Sequence, residues 1–109
     1  MKNFISIIIA LSISMINILI SDQPINFRHI TVEDDGLAES TVYDILQDSR
    51  GYIWICTDNG LNKYDGYSSE IYRSNPFDKK ALSGNRIYNI FKDSDGDVWI
   101  LTDNSVDKY

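Results

Sequence analysis

Few residues of this chain have the means to do chemistry, and the densest group is Asp93-Ser94-Asp95-Gly96-Asp97. Three carboxylates in five residues suit a hard cation. Calcium, however, takes about six to eight oxygen ligands, and its helix–loop–helix site carries Gly at about the sixth position and Glu at about the twelfth. Counted from Asp93, Gly96 is fourth and Asn104 is twelfth. A sister stretch earlier in the chain has Arg50 where Asp95 stands, a cation that would oppose binding. The stretch reads as a hairpin turn, and no metal ligand is assigned.

Asp58 and Asp103, each preceded by a threonine (Thr57, Thr102), are the next candidates. A glycosidase needs two carboxyl groups facing one sugar across a few ångströms. Acids that recur at one position of successive repeats do not arrange that by themselves. Their recurrence suits a side chain bonding the backbone of a turn. Trp54 and Trp99 have faces on which a sugar could stack, but both sit in the middle of apolar runs, where packing is the simpler role. His29 has no His, Cys or carboxylate at ligand spacing. Cys56 is the only cysteine, so it forms no internal disulfide, and a free thiol is usually a small buried hydrophobe. No nucleophile elbow, phosphate-cradling glycine loop or zinc spacing occurs. No catalytic or cofactor-binding residue is assigned, no cofactor is expected, and the ligand-binding residues are left unassigned.

The elements that would position these groups come from an internal repeat, which decides architecture before any strand is drawn. Trp54 and Trp99 stand 45 residues apart, and the sequence around them aligns without a gap. VYDILQDSRGYIWICTDNGLNKY (42–64) matches IYNIFKDSDGDVWILTDNSVDKY (87–109) at about half its positions. Leu37 and Leu82 keep the same register upstream. Within the first copy, Val42–Leu46 is a short β-rich run ended by the polar turn Gln47–Gly51. Tyr52–Cys56 is a second strand centred on Trp54, and Thr57-Asp58-Asn59-Gly60 is a turn in which Asn-Gly supplies positive φ. Leu61–Tyr64 and Ser69–Arg73 complete four strands in about 45 residues, the make-up of one propeller blade. Helical solenoid repeats of similar length would need apolar residues at helical spacing, which Gly-Tyr-Ile-Trp-Ile-Cys lacks.

Composition narrows the rest. Ten Lys and Arg against 16 Asp and Glu give a net charge of −6, which argues against nucleic acid, whose phosphates need a basic footprint. Lys2 followed by an uncharged run from Phe4 to Ile20 has the layout of a secretory signal. The run is slightly long for a signal core and slightly short for a membrane span of about 20 apolar residues. Cleavage and retention as an anchor both stay open.

The two copies resemble the two-component regulator propeller repeat, the blade motif of periplasmic sensor regions in hybrid two-component histidine kinases. The first copy carries the motif in Asp48, Gly51, Trp54, Thr57, Asn59 and Gly60, the second in Asp93, Gly96, Trp99, Thr102 and Asn104. These residues are assigned to a structural repeat motif. Two departures stand out. Cys56 and Leu101 occupy a position that is usually Gly in this family, and Ser105 replaces the Gly of the second turn. A side chain where the family keeps none is expected to disturb strand packing.

The resemblance implies an all-β fold, an incomplete β-propeller of two four-stranded antiparallel blades, the second lacking its outer strand, after an N-terminal hydrophobic helix. The expected order is a signal peptide or anchor (1–21), a lead-in strand and loop (22–41), a first blade (42–74), an interblade connection (75–86) and a second, truncated blade (87–109). It further implies an exported, periplasmic chain, held in the full-length protein near the inner membrane as a homodimer with the rest of the propeller and a kinase. The ligand would be an oligosaccharide derived from a glycan. This chain would be a sensor fragment and not itself an enzyme. Alternatives are a piece of an exported propeller lyase or glycosidase, and an inactive gene remnant. Because blades bury both faces only in a closed ring, two blades alone are expected not to form a stable monomer.

Overall fold

The computed structural model describes residues 24–109. The hydrophobic segment expected at 1–21 lies outside the described residues. The described part is all-β apart from one helical turn, α1 (Val32–Asp35). Seven strands follow: β1 (Val42–Gln47), β2 (Ile53–Thr57), β3 (Gly60–Tyr64), β4 (Ser69–Tyr72), β5 (Ile87–Lys92), β6 (Val98–Thr102) and β7 (Val106–Lys108). They form two antiparallel meanders, β1-β2-β3-β4 and β5-β6-β7, one for each repeat.

The register repeats with the sequence. Val42 opposes Thr57 as Ile87 opposes Thr102, and Gln47 opposes Ile53 as Lys92 opposes Val98. Even the irregularity repeats: the register shifts between Val42 and Asp44 and again between Ile87 and Asn89, which makes Tyr43 and Tyr88 the bulged residues. A bulge bends the strand and re-aims a side chain.

Alternation along the strands divides the first blade into two faces. Trp54, Cys56 and Leu61 pack against Ile87, Ile90, Val98 and Ile100 of the second blade, with Leu46, Tyr72 and Leu82 at the margin. This seam between blades is the hydrophobic core. Cys56 is fully buried in it, and its side chain fills the seam beside the bulge, opposite Asp44, where the register of β1 and β2 shifts. The opposite face of the first blade is covered in its outer part by the lead-in. Asn62 accepts from the Ala38 N–H at 2.8 Å and donates to the Gly36 carbonyl at 2.9 Å.

The lead-in differs from expectation, because residues 24–41 contain no strand. The Thr31 hydroxyl accepts from the Asp34 N–H at 3.0 Å, three acidic residues follow in the first turn, and Gly36 ends the helix at φ 72°. An N-cap, acids at the positive end and a left-handed glycine favour a helical turn over extended chain. Strand limits shift by one residue in places, since Thr57 and Gly60 pair across the second hairpin and extend β2 and β3 toward it.

Candidate functional site

The motif residues hold each blade's first and second hairpins. In the first hairpin, one oxygen of Asp48 accepts the N–H groups of Arg50 and Tyr52, and the other accepts the Trp54 indole N–H at 2.9 Å. Asp93 repeats this with Asp95, Asp97 and Trp99, again at 2.9 Å to the indole. Gly51 (φ 91°) and Gly96 (φ 87°) close the turns in the left-handed region. Burial pushes the Asp48 carboxyl up, but the Trp54 indole, two backbone N–H groups and the nearby Lys63 outweigh it and hold the pKa below its ordinary value. For Asp93 the Trp99 indole is the leading cause of the same lowering. With both oxygens of Asp93 engaged and Asp97 paired to Lys108 at 2.8 Å, the acidic stretch is a tied-down turn.

In the second hairpin of the first blade, the Thr57 hydroxyl donates to the Gly60 carbonyl at 2.7 Å and accepts from the Asn59 N–H at 3.2 Å. The expected positive φ falls on Gly60 alone (φ 127°), and Asn59 stays in the ordinary region, because the threonine hydroxyl rather than Asn59 shapes the loop. A Cβ on Gly60 would stand 3.1 Å from the Tyr72 carbonyl. The second copy keeps the same closure with Ser105 outside the left-handed region, the Thr102 hydroxyl donating to the Ser105 carbonyl at 3.2 Å. The same hydroxyl accepts the N–H groups of both Asn104 and Ser105, the Thr102 N–H donates to the Ser105 carbonyl at 2.9 Å, and Leu101 opposes Val106 as the next pair. Asn104 donates to the Ser83 carbonyl at 2.8 Å, tying the hairpin to the interblade connection.

Where the two blades meet at this hairpin end, four side chains converge. The Tyr43 hydroxyl donates to Asp58 at 3.1 Å, and Arg86 forms an ion pair with the same carboxylate oxygen. The rings of Tyr43 and Tyr88, delivered by the two equivalent bulges, lie 5.6 Å apart. Arg86 is held firmly protonated by Tyr88 and Asp58. All four side chains reach solvent, so the cluster offers two aromatic faces, a fixed cation and an anion on one rim. Of the residues singled out in the sequence, Asp58 joins this rim through its side chain, whereas Asp103, on the second blade, meets it through the backbone, its N–H donating to the Arg86 carbonyl at 3.1 Å. Trp54 is buried in the seam, and Trp99 is half-covered by Phe91 and Lys108. His29 is exposed in the lead-in, and burial followed by the charge of Asp44 pushes the Cys56 thiol up to about 12.

A groove of about 800 Å³ also runs along the outer seam, lined by Trp54, Tyr72, Lys80, Leu82, Ile100 and Tyr109 among others. Beside it Lys63 lies 4.3 Å from the Tyr52 ring centroid and 5.6 Å from that of Tyr109. Sequence reasoning did not reach the rim. Tyr43 and Tyr88 are an identical pair in the repeat and were legible as such, but Arg86 faces Thr41 in the first copy and carries no repeat signal.

Both repeats match the two component regulator propeller family, over residues 36–59 and 81–104. A curated relative, histidine kinase P4 of Formosa agariphila, is 51% identical over 49 residues, which make up 45% of this chain and 4% of that protein. Among solved structures, the extracellular domain assigned to a hybrid two component system of B. thetaiotaomicron matches with a TM-score of 0.68 at 27% identity. That match covers 75% of this chain and 12% of the other. The chain therefore spans a small part of the length of either protein.

Proposed function

Because this chain carries two two-component regulator propeller repeats, we propose that it is part of an extracytoplasmic ligand-recognition propeller whose binding state biases a histidine kinase. In this reading the segment 1–21 exports the chain to the periplasm, as a cleaved signal or an inner-membrane anchor. The remaining blades and the kinase belong to the full-length protein, which works as a homodimer. The chain itself serves recognition and not catalysis.

The observation that carries the reading is the rim of Tyr43, Asp58, Arg86 and Tyr88, assembled by two blades from equivalent bulges. Aromatic faces cover the apolar faces of sugar rings, and fixed polar groups set orientation, the division of labour usual in small-molecule sites. An oligosaccharide released from a glycan fits that chemistry. Because the rim joins two blades, a ligand seated there touches both and favours one relative arrangement, which is what a sensor needs.

The test is phosphotransfer by the full-length protein in membrane vesicles, challenged with a panel of glycan-derived oligosaccharides. One class is expected to change kinase activity severalfold, and Tyr88→Ala is expected to raise the concentration needed at least tenfold. No response to any member of the panel would reject the sensor reading. Turnover of an oligosaccharide would instead favour an exported propeller enzyme.

A further inference from the structure

The 45-residue repeat runs further upstream than the strands of the first blade. Residues 37–41 stand to that blade as residues 82–86 stand to the second. The Ala38 N–H donates to Asn62 as the Ser83 N–H donates to Asp107, each at 2.8 Å. The N–H groups of Asp58 and Asp103 donate to the carbonyls of Thr41 and Arg86, each at 3.1 Å. Leu82 stands ten residues after Tyr72, the last residue of β4, and Leu37 stands ten residues after Phe27. Ile25-Asn26-Phe27-Arg28 therefore occupies the repeat position of Glu70-Ile71-Tyr72-Arg73, where an aromatic residue and an arginine recur in register.

The counterpart of this segment is an outer strand, yet the segment itself pairs with no strand among the described residues, and the outer edge of β3 already carries β4. Ile25 and Phe27 are each 85% exposed, whereas Tyr72 is half-buried and stacked on Trp54 with ring centroids 5.9 Å apart. Arg73 donates to the Asn59 carbonyl at 2.9 Å and so ties β4 to its own second hairpin, while Arg28 turns to Asp35 at 2.8 Å. Apolar residues alternating along extended chain, at the repeat position of a strand, lack only a sheet edge to join.

We propose that residues 25–28 are the outer strand of another blade, the one that precedes the first in the ring, whose other three strands lie elsewhere in the full-length protein. They are not its immediate neighbours in sequence, because the uncharged run at 4–20 carries no Trp-centred motif. The repeat dictates the contacts. Leu61 pairs with Tyr72 and Lys63 with Glu70, so Phe27 and Ile25 pair antiparallel with the residues at the Leu61 and Lys63 positions of that blade. Phe27 stacks on that blade's tryptophan as Tyr72 stacks on Trp54, and Arg28 reaches a carbonyl of its second hairpin. Residues 29–41 then lead into the first blade as 74–86 lead into the second, so backbone hydrogen bonds close the ring. Such a blade exists only within the larger propeller proposed above, and the strand rests on that reading.

Hydrogen exchange and photocrosslinking of the full-length protein, with no ligand added, test this. The bonded amides of 25–28 are expected to exchange as slowly as those of 69–72, about tenfold or more below the rate of unstructured chain. Phe27→Asp should abolish that protection, whereas Phe27→Tyr, which installs the residue type of β4, should retain it. Phe77→Asp, at a turn position 96% exposed, should leave it unchanged. A benzophenone carried on the side chain at position 27 is expected to crosslink within one polypeptide, to the tryptophan-bearing peptide of a repeat other than the two described. Free exchange at 25–28 overturns the proposal, as does a crosslink confined to residues 24–109 or formed to a second copy. A kinase that answers an oligosaccharide while 25–28 exchanges freely rejects the strand and not the sensor; a protected, crosslinked strand without any kinase response does the reverse.

Discussion

Asp48 accepts three hydrogen bonds with two oxygens, closing a turn through two backbone N–H groups and fixing the tilt of Trp54 through the indole. All three bonds favour the carboxylate, which is why its pKa falls below the ordinary 3.8 despite burial. A group whose folded-state pKa is depressed contributes its full stability above the unfolded value and loses it as pH drops through the folded one. Thermal stability is therefore expected to be level from neutral pH down to about pH 5 and to decline below about pH 4 as Asp48 and Asp93 are protonated. Asp48→Asn should be less stable than wild type at pH 7 and show a flatter acid decline, measured by melts across pH. Two other side chains give simpler tests. The Cys56 thiol, pushed up to about 12 by burial, should resist a thiol reagent at pH 8 until denaturant is added. The buried Tyr64 hydroxyl has no hydrogen-bond partner among the described residues. Leaving such a group unpaired costs about 1 kcal/mol or more, so Tyr64→Phe should match or exceed wild-type stability by about that amount in denaturant melts.

At the scale of elements, the two second hairpins show how neighbours decide what a turn tolerates. Gly60 needs φ 127° and lies under β4, with the Tyr72 carbonyl 3.1 Å from where a Cβ would be. Gly60→Ala meets both obstacles and should cost about 1–3 kcal/mol. Ser105→Gly, at the equivalent place without such a neighbour, should change stability by about 0.5 kcal/mol or less in the same urea titration. The strands were legible because Val, Ile, Trp and Tyr cluster between turn residues, and because a 45-residue repeat fixes the register of each blade by comparison with the other. The helical turn was not, since Thr31 and three acids form a capping signal too short to show periodicity. The Asp–Trp link was present in the sequence as an Asp six residues before each Trp, yet only the turn geometry brings the two together. The rim was less legible still. A bulge has no distinct composition, and Arg86 has no counterpart to betray it.

At the scale of the whole molecule, the two tryptophans occupy one repeat position and two environments. Trp54 is fully buried between blades, packed by Tyr72 and Tyr109, whereas Trp99 is partly exposed, with Phe91 stacked on it and Lys108 over its ring, both of its own blade. Removing a buried Trp side chain costs about 3–5 kcal/mol, most of the stability a small domain commands. Trp54→Ala is therefore expected to abolish the cooperative melt, because the seam is the single core and nothing behind it replaces the lost contacts. Trp99→Ala removes a half-covered ring and should leave a cooperative melt at lower temperature. The difference depends on how much of each ring is covered, since Trp54 is 0% exposed whereas Trp99 is half-covered. Thermal melts of the two variants beside wild type measure this, and a Trp99→Ala deficit as large as that of Trp54→Ala would mean that the two rings contribute equally to the fold.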